Sequence, residues 1–396
     1  MNGANKGKSP FYPGQPVPIE FFIGRIKEIQ RIARAISQVE LGKQQAIFLT
    51  GDYGIGKSSL AGFMKNFAEE KNHLFGIHVL LGGTETVEDV ATKTVEAVIK
   101  SPSYEAPIKE KIGNFLAKYI GKQELFGFSI NLDALRNDGP SISHGYLPFL
   151  RQLFEGLQDN GIKGIMLILD EINGITRNPR FAHFIKSLID ENALSPSPLP
   201  LILVLCGVEE RRKEMIGHHQ PVERIFDIIE IKPMNESEMK DFFSRTFGSV
   251  RIRVSDEALP LLCRYSAGFP KIMHVVGDNI FWIDEDGIVD KSDAVRGIVD
   301  AAGDIGRKFV DQQVYNALRS KDYHSILAKI SKEKLDLAFR KCDIEKGLSE
   351  NEKKKLNNFL QRMKKLKVLR SGEEKGEWVF LSRLVRLYIG FKSLER

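Results

Sequence analysis

Apolar residues change their spacing several times along this chain, and each change marks a new element. The arm ending in FYPGQPVPIE is too rich in proline for a helix or a central strand. Ile26, Ile29, Ile32, Ile36 and Val39 then recur at helical spacing, and Gly42 closes the run. QAIFLT follows as a short buried strand, a helix is predicted from Lys57 to Lys71, and LFGIHVLL reads as a second apolar strand. The stretch 84–125 has a helical period, LFGFSINL (Leu125–Leu132) reads as a short extended insertion, and another helix covers Ser143–Asp159. GIMLILDEIN, PLILVLCG (Pro200–Gly207) and DIIEIKPM (Asp227–Met234) complete a set of continuous apolar strands separated by helices. Such strands are buried on both faces, so the predicted class is α/β with a parallel, helix-covered sheet.

From Asn235 the pattern becomes helical throughout until about Lys365, beginning with Asn235 as a cap over an acidic first turn. The SENE stretch, Ser349–Glu352, is a capping box opening a helix with Leu356, Phe359, Leu360 and Met363 on one face. KVLRSGEEKGEWVFL then reads as a β-hairpin with its tip at Gly372–Gly376. Four regions follow: an extended arm at 1–19, an α/β core at 20–234, a helical segment at 235–304 and a terminal domain at 305–396, with DIGRKF near Ile305 as the junction.

Composition narrows the function classes. With 42% apolar and 28% charged residues the chain is that of a globular protein with a sizeable core. No run of 18 apolar residues suggests a membrane span, and the first ten residues carry no apolar region of a secretory signal. Cys206, Cys263 and Cys342 are far apart, which argues against a disulfide framework or zinc site and fits a reducing, cytoplasmic setting. His218 and His219 are adjacent, but nothing near them completes a metal set. The net charge of +6 is unevenly placed: 23 Lys+Arg stand against 13 Asp+Glu from Ala301 onward, and 35 against 39 before it. A basic end points to an acidic partner, nucleic acid first, or to a solvated lysine-rich helical domain.

The glycine turn after QAIFLT carries the chemistry. Gly51 to Ser58, GDYGIGKS, matches GxxxxGK[ST] in full between a predicted strand and a predicted helix. Gly51, Gly54, Ile55, Gly56, Lys57, Ser58 and Ser59 are the candidate phosphate contacts. Glycines let backbone N–H groups turn inward, and the new helix adds its positive end. Lys57 is placed for the β- and γ-phosphates and Ser58 for Mg²⁺. Asp170, at the end of Ile165–Leu169, is the expected second anchor for the metal. Glu171, next to it, can orient or deprotonate a water in line with the γ-phosphate. No guanine-reading NKxD motif is visible, so ATP with Mg²⁺ is the expected cofactor pair.

On these motifs the chain resembles the AAA+ ATPases, nearest the branch holding archaeal and eukaryotic replication initiators and the signal-transducing STAND ATPases. The resemblance covers about residues 8–396. It implies a P-loop core, a helical lid and a C-terminal winged helix. Phe22, Ile23, Gly24 and Arg25 match the FVGR box, which borders adenine in that family. AGFPKIMHVVGDN (Ala267–Asn279) resembles the sensor 2 motif and places Lys271 at the basic position, where it would reach the γ-phosphate. The resemblance also implies an arginine finger acting on a neighbouring subunit, for which Arg224 in QPVERIF is the candidate and Arg211 and Arg212 the alternatives. One position departs: where the family has a polar sensor 1 residue, LILVLCGVEE has Cys206, a poor substitute donor, which implies slow hydrolysis.

The helix–helix–helix–hairpin order from about 308 to 385 resembles a winged helix. Lys353, Lys354, Lys355, Arg362, Lys364, Lys365, Lys367 and Arg370 face only Glu352 in that stretch, as phosphate contacts to DNA require. Glu373 and Glu374 argue against a wing that grips the minor groove. Three readings stand: an ATP-hydrolysing switch coupled to DNA binding or assembly, a signalling or defence ATPase whose terminal domain holds a protein, and a scaffold with structural ATP.

Overall fold

A computed structural model describes residues 6–15, 18, 22–100, 108, 110–112, 120–124, 127–130, 142–318, 320–332 and 337–394. Its internal contacts divide the chain into two units, one made of residues 16–232 and the other of residues 1–15 together with 233–396.

In the first unit the elements run α1 (Ile26–Glu40), β1 (Gln45–Thr50), α2 (Lys57–Asn72), β2 (Leu74–Leu80) and α3 (Val87–Ile99). They continue with β3 (Ile120–Glu124), β4 (Gly127–Ile130), α4 (Ile142–Gln158), β5 (Gly164–Asp170), α5 (Pro179–Ala193), β6 (Leu201–Gly207), α6 (Glu209–His218) and β7 (Asp227–Glu230). Five of the strands form one parallel sheet in the order β2-β5-β6-β1-β7. Every residue of β5 and β6 is buried, which is why both read as unbroken apolar runs. Phe48, Ile165, Leu167, Leu203 and Leu205 pack on one face under α3, α4 and α5, while α1 and α2 cover the other.

The chain leaves β1 and lays down β2 three places away, then returns through β5 and β6. Order therefore reverses at β1, and the carboxyl ends of the strands at such a switch are where open α/β sheets bind ligands. The helical period over 84–125 does not hold to its end: Ile120–Glu124 is a strand paired antiparallel with β4. Pairing with a partner strand overrides the local period there. The extended reading of Leu125–Leu132 holds for β4, and its residues 125, 126, 131 and 132 lie outside the described residues.

The second unit contains α7 (Glu236–Gly248), β8 (Arg253–Val254), α8 (Ala258–Ser266), α9 (Pro270–Ile283), β9 (Ile288–Val289) and α10 (Lys291–Ile305). β8 and β9 are a two-residue parallel pair, so this region is not helical throughout. Asn235 caps α7 reciprocally with Glu238. The arm docks on these helices. The Phe11 ring lies 4.8 Å from that of Phe247, the Tyr12 N–H donates to His274 Nδ1 at 3.2 Å, and Lys6 pairs with Asp284 at 2.9 Å. Burial pushes His274 down to about 4 and keeps the ring neutral, as an acceptor needs.

α10 runs directly into a π-helical stretch, Gly306–Tyr315. Gly306 is required there, because a methyl group would stand 2.1 Å from the Tyr388 ring. Next come α11 (Lys321–Lys332), β10 (Ala338–Arg340), α12 (Lys341–Glu345), α13 (Glu350–Lys365), β11 (Leu369–Ser371), β12 (Glu377–Phe380) and α14 (Arg383–Leu394). The three strands form an antiparallel sheet in the order β10-β12-β11, a winged-helix arrangement with α13 leading into the hairpin.

Leu356, Phe359, Leu360 and Met363 of α13 are buried in the core of this domain. Ser349 and Glu352 form the capping box, and Glu352 also takes a 2.6 Å ion pair from Lys329. Burial opposes ionisation of Glu352, but hydrogen bonds from Lys329, Ser325 and Ser349 outweigh it and hold the carboxyl down at about 2. A carboxyl depressed on folding contributes stability above its unfolded value of 4.5, and that contribution is lost as pH falls towards 2. Glu352→Gln is expected to lower the melting temperature at neutral pH and to flatten its decline below about pH 4.5, read by thermal melts across pH.

Candidate nucleotide site

Three strand ends build the site. β1 delivers Thr50 and the glycine turn, β5 delivers Asp170, and β6 lies between them, with Cys206 level with Leu49 and Leu205 level with Leu169. Gly51, Gly54 and Gly56 all have positive φ, at 152°, 75° and 98°. A side chain at Gly51 would also meet the Ile231 carbonyl at 2.6 Å, so only glycine lets the chain turn this closely. Gly56 caps α2, Ile55 is fully buried beneath the loop, and Ser58 and Ser59 follow in the first turn, half-buried. The Thr50 hydroxyl is buried at the start of the loop and has no hydrogen-bond partner among the described residues.

Lys57 Nζ donates to the carbonyls of Gly51 at 2.8 Å and Asp52 at 2.9 Å. Burial pushes the ammonium down, and the charges of Asp170, Asp52 and Glu171 work against that shift. The lysine therefore lies within the electrostatic reach of both carboxylates. A glycine cradle, a desolvated lysine, a hydroxyl at a helix start and a buried carboxylate make a donor set that fits a nucleotide with Mg²⁺, which Ser58 and Asp170 would hold.

Asp170 is 1% exposed and is held by its neighbours. Its Oδ1 accepts the Glu171 N–H at 2.8 Å, its Oδ2 lies 3.2 Å from His78 Nε2 on β2, and the Cys206 thiol donates to it. Burial and the adjacent Asp170 charge push the thiol up, so Cys206 stays protonated. Glu171 is exposed and sits at φ 57°, a left-handed conformation that costs a non-glycine residue on the order of 1 kcal/mol. Its Oε2 stands where a methyl group on Gly82 would be 2.6 Å away.

The FVGR segment is tied to the same loop. Arg25 is buried in the left-handed region, and its guanidinium donates to the carbonyls of Ile55, at 3.1 Å, and Lys232. Gly24 precedes it at φ 82°, and Phe22 stacks on Phe63 of α2 at 4.8 Å; Ile23 is half-buried between them in sequence. Arg25 thus holds the end of the phosphate loop through backbone carbonyls.

Of the three candidate fingers, Arg211 is paired with Glu214 at 2.7 Å and Arg212 with Glu209 at 2.6 Å, while Arg224 is exposed and has no acidic partner among the described residues. Lys271 is exposed in the first turn of α9, in the other unit. Lys353, Lys354, Lys355, Arg362, Lys364, Lys365, Lys367 and Arg370 are all exposed along α13 and into β11. Lys353 pairs with Glu350 at 2.8 Å and Lys355 with Asp322 at 2.5 Å.

Similar solved structures share this architecture. The Walker-type ATPase of Pyrococcus abyssi matches with a TM-score of 0.59 at 18% identity, over 93% of this chain and 96% of that one. The ORC2 protein of Aeropyrum pernix, in its ADPNP–ADP complexes, matches with a TM-score of 0.60 at 11% identity, over 97% and 95%. The fold is that of a P-loop NTPase, a parallel sheet under helices with the glycine turn after its first strand. Residues 18–87, from the FVGR segment to the start of α3, match the family described as "BREX system ATP-binding protein BrxC/D". No curated protein matches the chain. Among the described residues no helix is long and apolar enough to cross a membrane.

Sequence reading missed His78 and Gly82. His78 was visible as the one ionisable group in an otherwise apolar strand, and Gly82 as the turn after it, but neither could be joined to Asp170 or Glu171 without the strand order. Gly82→Ala is expected to push the Glu171 carboxylate from its place and change the rate of phosphate release at least severalfold, with nucleotide affinity changed less than twofold and the melting temperature nearly unchanged. Steady-state kinetics beside a thermal melt check this.

Proposed function

We propose that this protein is an ATP-hydrolysing switch that couples its nucleotide state to DNA binding or assembly through the basic winged helix. The observation that carries the reading is the buried Asp170 with Glu171 beside it, one strand removed from a complete phosphate loop. Mg²⁺, when bound, supplies charge neutralisation at the β- and γ-phosphates. Lys57 would exchange its loop carbonyls for phosphate oxygens, and Ser58 and Asp170 would hold the metal. Glu171 takes the proton of the attacking water once its carboxylate turns from Gly82. Cys206 is committed to Asp170 as a weak donor, which supports slow turnover and a timing role. Lys271 acts as sensor 2 from the lid. Arg224, free of a carboxylate among the described residues, acts as the finger towards a second copy.

The DNA half rests on α13. Its exposed Lys354, Arg362, Lys364 and Lys365, with Lys367 just beyond it and Arg370 in β11, contact phosphates, which makes affinity fall steeply with salt. The acidic hairpin tip, where Glu374 pairs with Arg340, leaves that work to the helix. A second reading keeps the ATPase and gives the terminal domain a protein partner. It draws on the match of residues 18–87 to an ATP-binding component of a larger system.

Phosphate release and DNA affinity test both halves. Glu171→Gln is expected to lower turnover about 100-fold or more while nucleotide binding is kept. A rate indifferent to that change supports structural ATP instead. Duplex DNA is expected to bind with an affinity that drops at least tenfold between low and physiological salt and differs between the ATP and ADP states. Absence of salt-sensitive binding in both states removes the DNA half and favours a protein partner.

A further inference from the structure

The outward side of α13 is not uniformly basic. At 100° per residue, Lys354, Asn358, Gln361 and Lys365 fall on one ridge, opposite the buried Leu356, Phe359 and Met363. Asn357, Arg362 and Lys364 flank it, all exposed. Lys364 Nζ lies 3.2 Å from Ser371 Oγ, so that residue is drawn towards the hairpin. Among the described residues, Asn357, Asn358 and Gln361 have no hydrogen-bond partner, and Lys354 and Lys365 have no acidic one. The acids of this helix, Glu350 and Glu352, sit in its first turn and are engaged by Lys353 and Lys329. Two consecutive asparagines in mid-helix are poor helix formers and add nothing to the core, so packing does not explain them.

We propose that this ridge reads adenine-containing base pairs in the major groove, with Asn358 and Gln361 as the specificity-determining residues and Lys354 and Lys365 as phosphate anchors. The proposal rests on the DNA half of the reading above. A carboxamide presents an acceptor beside a donor, the complement of the donor and acceptor that adenine offers at N6 and N7. Asn358 and Gln361 are separated by about 4.5 Å along the axis, close to one base-pair step. The two lysines stand about 16 Å apart, more than the roughly 12 Å groove, so they reach the backbones on either side of the amides. Cationic ends around a neutral, amide-bearing centre are complementary to duplex DNA.

The test uses the full chain and a library of short randomised DNA duplexes, followed by anisotropy on the enriched sequence and on a copy with its A·T pairs replaced by G·C. The unaltered protein is expected to bind the enriched duplex about tenfold tighter than the copy. Asn358→Ala with Gln361→Ala is expected to bind both within about twofold, at the affinity shown for the copy. Lys354→Ala with Lys365→Ala is expected to keep the preference, weaken both and flatten the salt dependence. Salt-sensitive duplex binding without sequence preference overturns the proposal and leaves the DNA reading intact. So does a preference that survives loss of both amides, or a preference for single strands. Binding to no nucleic acid overturns both together. Exposed positions on a capped helix tolerate these changes, and an unchanged melting temperature for each variant confirms it.

Discussion

Asp170 is a carboxylate at the end of a fully buried strand, and an isolated charge there would cost several kcal/mol. It is tolerable because three donors converge on it from separate pieces of chain: the Glu171 N–H, the His78 imidazole and the Cys206 thiol. That convergence requires β2, β5 and β6 to lie side by side in this order. The same order puts the phosphate loop one strand further on, at the end of β1. Sheet topology, burial of the carboxylate and placement of Lys57 are therefore one constraint.

The surroundings of Asp170 also explain the character of the site. Cys206 lies on β6, between β5 and β1, and spends its weak donor on the carboxylate. Glu171 sits in a strained backbone conformation with its carboxylate against Gly82. Arg25 ties the FVGR segment to the end of the loop, so a segment remote from the loop in sequence shares its mechanical fate. The two neighbouring carboxylates thus differ: Asp170 is buried and held by several donors, and Glu171 is exposed.

The other unit is built from capped helices and locked contacts. Asn235, Asp290 and Ser349 each close a reciprocal capping box, and Tyr388 covers Gly306 at the passage from α10 into the winged helix, its hydroxyl donating to Asp311 at 2.8 Å. The helical passage from α10 is thus fastened to α14 by a ring and a hydrogen bond to a carboxylate. The docked arm adds Phe11, whose ring fills the space a side chain at Gly277 would need.

Much of this was legible in the residues alone. The phosphate loop, the Asp170–Glu171 pair, the α/β alternation and the capping boxes are local patterns, in which a few adjacent residues set backbone geometry and charge. The short β8–β9 pair, the β3 strand and the π-helical stretch were not, because they depend on what lies opposite them. Cys206 was recognisable as a departure, but its commitment to Asp170 was not. Sequence determined the local geometry and charge of the site, since glycine, lysine and carboxylate at fixed spacing set the turn and the groups that line it. Only the tertiary structure decided which groups restrain that site. His78, Gly82 and the Arg25 carbonyl contacts come from parts of the chain distant in sequence, and strand order and packing, not spacing, bring them together.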